Sequence, residues 1–296
     1  MSELRFDLLS PLQAPRWKRM TFPRYGTLLH SAGKDFVALA ATVDQLPAGL
    51  AFAHLGDTEL LSLWVLPSRR RKGVGQGLIA HLEIHLRQLG CPEVRTVWMS
   101  GSPGADAFAR LLQRQDWARP QLRMVVYKAF LARLGEAEWM HNFAVLPEGC
   151  ALVPWASLTS SQLVTLKQAI HFENWVPADL DPFAFIDLGI DGAQPEPSMS
   201  LACTQWGDVV GWNLAHRINA NTVRISCTYV RPDMQQHLLI LALWREAFQR
   251  QAGSGYQNLS WAVAADRSTM VTFNDRFMGS YVRQRTETWG SRKELG

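Results

Sequence analysis

Between residues 30 and 130, short apolar runs alternate with turn residues before the pattern changes to a helical period. The runs "FVALAA" (36–41), "GLAFAHL" (49–55) and "TELLSLWVL" (58–66) predict three consecutive strands, separated by the turn signals "QLPAG" and "GDT". Leu78, Leu82, Leu86 and Leu89 then recur on one helical face, and Gly90 supplies a C-cap. "EVRTVWM" (93–99) predicts a strand, "ADAFARLLQRQ" (105–115) a helix and "LRMVVYKAF" (122–130) a further strand.

The second half repeats these landmarks in order. "GLAFA" (49–53) has a counterpart in "GWNLA" (211–215), "WVLP" (64–67) in "YVRP" (229–232), and "TVWM" (96–99) in "LSWAV" (259–263). Shared order at similar intervals predicts a tandem domain repeat. The join is expected near "HNFAVLPEGC" (141–150), giving units 1–140 and 141–296. Each unit is expected to be α+β, a mixed and mostly antiparallel sheet flanked by helices. "VPADLDPFAFIDLGIDGAQPEPS" (176–198) reads as a long acidic loop inside the second unit.

Composition narrows the functional classes. The 296 residues are 47% hydrophobic and 19% charged, which is globular composition. Thirty Lys and Arg against 26 Asp and Glu give a net charge of +4, a mild excess without the one-faced basicity of a DNA binder. No apolar run is long enough to span a bilayer, and the N-terminus lacks a signal-peptide pattern. Cys91, Cys150, Cys203 and Cys227 are scattered, with no metal-ligand or redox spacing, so unpaired thiols in a cytoplasmic setting are expected. "HLEIH" (81–85) places His81 and His85 on one helix face but lacks the Glu directly after the first His and a third ligand. It reads as solvent face, and no metal site is expected.

The densest positive charge, Arg69, Arg70, Arg71 and Lys72, runs directly into Gly73, Gly75 and Gly77. These residues lie between a strand and a helix. A helix N-terminus there offers unpaired N–H groups, and glycine lets that backbone approach an anion closely. The N–H groups of about Lys72 to Gly77 would thus cradle a pyrophosphate. Neither the Walker loop nor the dinucleotide fingerprint fits the spacing. Arg70-Arg71-Lys72-Gly73-Val74-Gly75 fits R/Q-x-x-G-x-G/A and, preceded by "LLSLWVLP", resembles the signature of the GNAT superfamily of acyl-CoA-dependent N-acyltransferases. The resemblance covers about residues 30–130 at motif level.

The resemblance implies that Arg70, Arg71, Lys72, Gly73, Val74, Gly75, Gln76 and Gly77 hold the phosphates of an acyl-CoA co-substrate. It also implies that Leu63 and Val65 contact the pantetheine arm in a gap between splayed strands, with "EVRTVWM" as the other wall. Glu59 is expected to be the base that deprotonates the acceptor amine. The tyrosine that often serves the family as general acid is replaced by Leu112. In the second unit "DMQQHLLI" (233–240) has neither glycine nor a cationic run, so that unit is expected to be degenerate and to shape the acceptor side. His216 and Tyr229 are its candidate catalytic groups, each weighed against an ordinary packing role. Glu173, Asp179, Asp181, Asp187 and Asp191 could attract a cationic acceptor.

The implied function is acyl transfer from acyl-CoA to a primary amine of a small molecule or peptide, without nucleic acid or a membrane span. A fatty acyl group placed on a lysine or ornithine side chain is one form. Acetylation of a small amine and a non-catalytic CoA-binding role are the alternatives.

Overall fold

The computed structural model describes residues 3–142, 146–187, 193–251 and 255–296. The chain divides into two compact units, residues 1–123 with 287–296 and residues 124–286.

The first unit opens with β1 (Leu4–Leu8), turns through the 3-10 segment Pro11–Met20 and the short α1 (Pro23–Gly26), and enters β2 (Phe36–Val43), β3 (Leu46–His54) and β4 (Glu59–Val65). Then come α2 (Val74–Gln88), β5 (Glu93–Met99) and α3 (Ala105–Gln113). Strands 1 to 4 pair antiparallel in sequence order, and β4 pairs parallel with β5. Alternation along the strands divides the core into two layers. Leu39, Ala51, Ala53 and Leu60 pack against Leu78, Ile79, Leu82 and Leu86 of α2 and Leu112 of α3. Ala38, Ala40, Leu50 and Phe52 pack on the opposite face against Ala14, Trp17, Met20 and Leu29.

The second unit continues from β6 (Gln121–Phe130) through α4 (Leu131–Gly135) and α5 (Trp139–Asn142) into β7 (Cys150–Pro154), α6 (Ser160–Glu173) and α7 (Pro182–Asp187). β8 (Gln194–Pro195), β9 (Leu201–Gln205), β10 (Asp208–Asn219) and β11 (Thr222–Val230) follow. Its last elements are α8 (Leu239–Arg250), β12 (Asn258–Ala264), α9 (Ser268–Met278) and the start of β13 (Val282–Glu294). β7, β9, β10 and β11 pair antiparallel in that order, β11 pairs parallel with β12, and β12 antiparallel with β6. The acidic segment expected to be a loop contains a 3-10 turn at Ala178–Leu180, α7 and β8.

The boundary differs from the one expected at residue 140, for a reason of strand pairing. Residues 288–294 of β13 pair antiparallel with β5, residue for residue from Thr288↔Met99 to Glu294↔Glu93. The end of the chain therefore supplies the sixth strand of the first unit. Lys293 locks it in place: its Nζ donates to the buried Glu83 at 2.6 Å and to the Gln115 carbonyl at 2.6 Å. Glu83 also accepts from the Trp117 indole at 2.7 Å. The expected solvent face at residues 81–85 is thus only partly solvated, because Glu83 points inward. The four cysteines are unpaired.

Candidate functional site

The parallel pair β4–β5 is short. Only Glu59↔Arg95 and Leu60↔Thr96 are in register, and the Thr96 hydroxyl donates to the Leu60 carbonyl at 2.8 Å. Beyond these residues the two strands diverge. A bulge in β4 between Leu60 and Ser62, opposite Ala53 and Phe52, marks the point of departure. The result is a V-shaped cleft whose apex is stitched at Leu60 and Thr96.

Backbone alternation decides what lines it. The Leu66 N–H donates to Ala48 of β3, so the N–H groups of Leu63 and Val65 point to the other side, into the cleft. The side chains of Leu63 and Val65 are half-buried against the α2 layer. Across the gap Trp98 of β5 stacks edge-on with Phe108 of α3 at 5.5 Å, and Leu111 joins the same apolar wall. The cleft is thus an apolar slot with free backbone donors along one rim, suited to an extended amide-bearing chain.

At the open end of the cleft lies the N-terminus of α2. Arg71 and Gly73 both take left-handed backbone, φ +57° and +82°. Gly73 is the N-cap, and the first intrahelical bond runs from the Gly77 N–H to its carbonyl at 2.9 Å. The N–H groups of Val74, Gly75 and Gln76 therefore have no partner one turn back, the arrangement that receives anions. A Cβ on Gly75 would sit 3.2 Å from Leu111 and 3.6 Å from Val65, so a side chain here crowds the cleft mouth. The expected cradle is narrower than the sequence implied. The Gly77 N–H is consumed in the helix, and the face of Gly77 is covered by the Phe6 ring, which would lie 2.1 Å from an added Cβ.

Among the cations, Arg70 folds back. Its Nε donates to the Val65 carbonyl at 3.0 Å and its guanidinium lies 5.9 Å from the Trp64 ring. Arg70 thus caps the end of β4. Arg71 and Lys72 are exposed beside the free N–H groups, and they make no ion pair among the described residues. Val74 turns its side chain into the core and can offer a ligand only its N–H.

Glu59 stands at the apex. Register places it opposite His54 on β3 and beside Arg95 on β5, so the three side chains share one face of the sheet. That face is opposite α2. The charge of Arg95 is taken by Asp57 at 3.3 Å, and Asp57 also holds His54 Nδ1 at 3.1 Å. The half-buried Glu59 carboxylate has no hydrogen-bond or ion-pair partner among the described residues. Leu112, at the position of the family's tyrosine, is fully buried and faces the core.

Among the described residues, the two candidates in the second unit are held by packing and hydrogen-bond partners. His216 is fully buried: Nδ1 pairs with the Ser226 hydroxyl at 2.8 Å and Nε2 with the Phe185 carbonyl at 3.0 Å. Burial, reinforced by Arg224, holds its pKa below the ordinary histidine value despite the Phe185 bond. Tyr229 donates to the Trp175 carbonyl at 2.9 Å within a stack formed with Trp175 and Trp212, and burial raises its pKa. Both are packing residues here, and no local signal in the sequence announces partners so far along the chain. Of the acidic residues, Asp179 pairs with Arg267 and Asp181 accepts from the Phe183 N–H at the start of α7. Glu173 is exposed, only the backbone of Asp187 is described, and Asp191 lies outside the described residues.

The second unit keeps the short parallel pairing. β11 and β12 pair only from Thr222↔Asn258 to Ile225↔Trp261. Past that point the buried Trp244 of α8 donates to Thr228 of β11 at 3.2 Å and packs against Phe273 at 6.2 Å. Leu238, with φ +54°, occupies the left-handed N-cap that Gly73 occupies in the first unit. The turn geometry survives without the glycines or free cations that would receive phosphate.

Residues 5–112 match the model of the acetyltransferase (GNAT) family. The whole chain resembles a tandem GNAT protein from the clavulanic acid biosynthesis pathway, with a TM-score of 0.69 and 16% identity over 99% of both chains. It also resembles a GCN5-related N-acetyltransferase from Sphaerobacter thermophilus, with a TM-score of 0.66 and 17% identity over 99% of this chain and 96% of that one. A glucosamine N-acetyltransferase region of a fungal multi-domain β-N-acetylglucosaminidase gives a TM-score of 0.66 at 14% identity, over 98% of this chain and 38% of that one. No curated protein matches the chain significantly in sequence.

Proposed function

We propose that this chain, a GNAT-superfamily acyl-CoA-dependent N-acyltransferase in tandem arrangement, moves a short acyl group such as acetyl to a primary amine, with Glu59 as the base. The observation that carries this reading is the unpartnered Glu59 carboxylate at the apex of an apolar cleft that has a phosphate cradle at its mouth.

The free N–H groups of Val74, Gly75 and Gln76 receive the pyrophosphate, with Arg71 and Lys72 adding attraction. Of the Leu63 and Val65 N–H groups, Val65 holds a pantetheine amide carbonyl and Leu63 is the donor for the thioester oxygen, where negative charge builds in the transition state. Glu59 takes a proton from the acceptor ammonium, whose nitrogen then attacks the thioester carbon. The C–S bond breaks, and the departing thiolate takes the remaining ammonium proton. A thiol ionises near pH 8.5, so the thiolate leaves readily. This fits the absence of the family's tyrosine at Leu112.

The stitch between Thr96 and Leu60 supports a short acyl group over a fatty one, because it closes the slot directly beyond the reacting carbon. Calorimetric titration with acetyl-CoA and a long-chain acyl-CoA, beside Gly75→Glu, tests the cradle and the chain length together. Acetyl-CoA is expected to bind in a Gly75-dependent manner and the long chain more weakly. Preference for the long chain would refute the short-acyl assignment. Glu59→Gln is expected to keep acetyl-CoA affinity and lose about 100- to 10,000-fold in kcat. Unchanged turnover would remove Glu59 from the mechanism.

A further inference from the structure

β1 forms an edge of the first unit's sheet. It pairs with β2, and no strand among the described residues pairs with its other side. Two bonds fix which backbone groups look outward. The Leu9 N–H donates to the Ala38 carbonyl at 2.8 Å, and the Asp44 N–H donates to the Glu3 carbonyl at 3.0 Å. Bonded positions alternate along an antiparallel pair. Glu3, Arg5, Asp7 and Leu9 therefore turn their backbone groups to β2, and those of Leu4, Phe6 and Leu8 point away from the sheet. An open edge of this kind is usually blunted by proline, a bulge or lysine. β1 has none of these: its register with β2 is unbroken over 5 residues, and its sequence is LRFDL.

That sequence is complementary to itself. Two copies of β1 laid antiparallel with Phe6 opposite Phe6 bring the outward groups together in bonded pairs, Phe6 with Phe6 and Leu4 with Leu8. Arg5 then lies opposite Asp7 in the intervening non-bonded pairs, where side chains are closest. Because the contact is symmetric, this charge pair occurs on both sides of the axis. Moving the centre of symmetry to residue 5 faces Arg5 with Arg5 and Asp7 with Glu3, and moving it to residue 7 faces Asp7 with Asp7. Like charges directly opposite are unfavourable, so charge selects one register. The ion pair that Arg5 makes with Glu3, at 2.6 Å with both side chains 59% exposed, is of little worth in water and competes weakly.

The side chains on the α2 side favour the same arrangement. Leu4 and Leu8 are 37% and 52% exposed, and each meets the other across the pair. Phe6 lies between them and stacks on His81 of α2 at 4.4 Å. Ile84, 47% exposed, follows His81 on the same stripe of α2. A two-fold axis through the paired Phe6 residues runs normal to the sheet, so both copies present α2 on the same side of the joint.

We infer that β1 is a docking edge for a second copy of this chain, forming a two-fold dimer in which the sheet of one copy continues into that of the other through Arg5–Asp7 pairs. This contact is independent of the transfer reaction.

Sedimentation equilibrium of the full chain tests it. At about 100 µM, well above a micromolar Kd, the wild type is expected to run at twice its 33.3 kDa. Arg5→Asp and Asp7→Arg, at exposed positions outside the cleft, are each expected to raise the dimer Kd by about tenfold, because every facing charge pair becomes a repulsion. Mixed in equal amounts, the two variants are expected to pair with each other, and a chain carrying both changes is expected to recover the wild-type dimer. That recovery also shows that each variant is folded. A wild type that stays monomeric overturns the inference. So does a dimer that neither charge change weakens, which would place the contact on another face. Weakening without recovery in the mixture and in the double variant overturns it too, since the two charges would then not face each other.

Discussion

His216 shows how a residue that looks chemical becomes structural. Its Nε2 reaches the Phe185 carbonyl, 31 positions earlier, and its Nδ1 meets Ser226 across the strand pair. Burial keeps the ring neutral by holding its pKa below the ordinary value of about 6.5. The folded state therefore binds fewer protons than the unfolded chain as pH falls through that value, so stability drops on acidification. Thermal melts at pH 7.5 and 5.5 should show a fall in Tm for the wild type that is smaller for His216→Gln. An identical fall in both would assign the acid sensitivity elsewhere. Glu59 contrasts with it, since its position one strand length before the glycines was legible in the sequence. The partners of His216 and Tyr229 were not, because tertiary pairing supplies them.

At the level of elements, the spacing of the apolar runs located β2 to β5 and the two helices between and after β4 and β5. It could not distinguish the tasks of three neighbouring glycines. Gly73 supplies a left-handed N-cap, Gly75 leaves the cleft mouth uncrowded, and Gly77 admits Phe6 of β1 onto α2, where the ring stacks on His81 at 4.4 Å. Only the first two fall within the phosphate cradle proposed above. Gly77→Ala should therefore lower the melting temperature while leaving acetyl-CoA affinity unchanged. The crowding costs about 1–3 kcal/mol, partly offset by about 1 kcal/mol of helix propensity. A large loss of affinity at unchanged stability would return Gly77 to the cradle. The second unit makes the complementary point: Leu238 holds the left-handed N-cap that Gly73 holds in the first, and a buried Trp244 bonds to Thr228 past the end of the β11–β12 pairing.

For the whole molecule, the repeat was legible in the order of landmarks, and the route of the chain was not. Periodicity predicts that a strand exists but not which strand it joins, and "VRQRTETWGSRKE" pairs across nearly two hundred residues with "EVRTVWM". A fragment ending at residue 140 lacks the sixth strand, and it lacks Lys293, the partner of the buried Glu83. It should expose the edge of β5 and aggregate, whereas the full chain stays in solution. Sedimentation of the two side by side checks this, and a monomeric, acetyl-CoA-binding fragment would contradict it.

The late return of β13 also orders events during synthesis. The ribosome adds about 5–20 residues per second, so Val94 to Met99 wait roughly 10–40 seconds for their partner. Through that interval the first unit keeps an open β5 edge while the second unit is being made. The half of the protein made first thus gains its sixth strand only after nearly all of the second unit has been made.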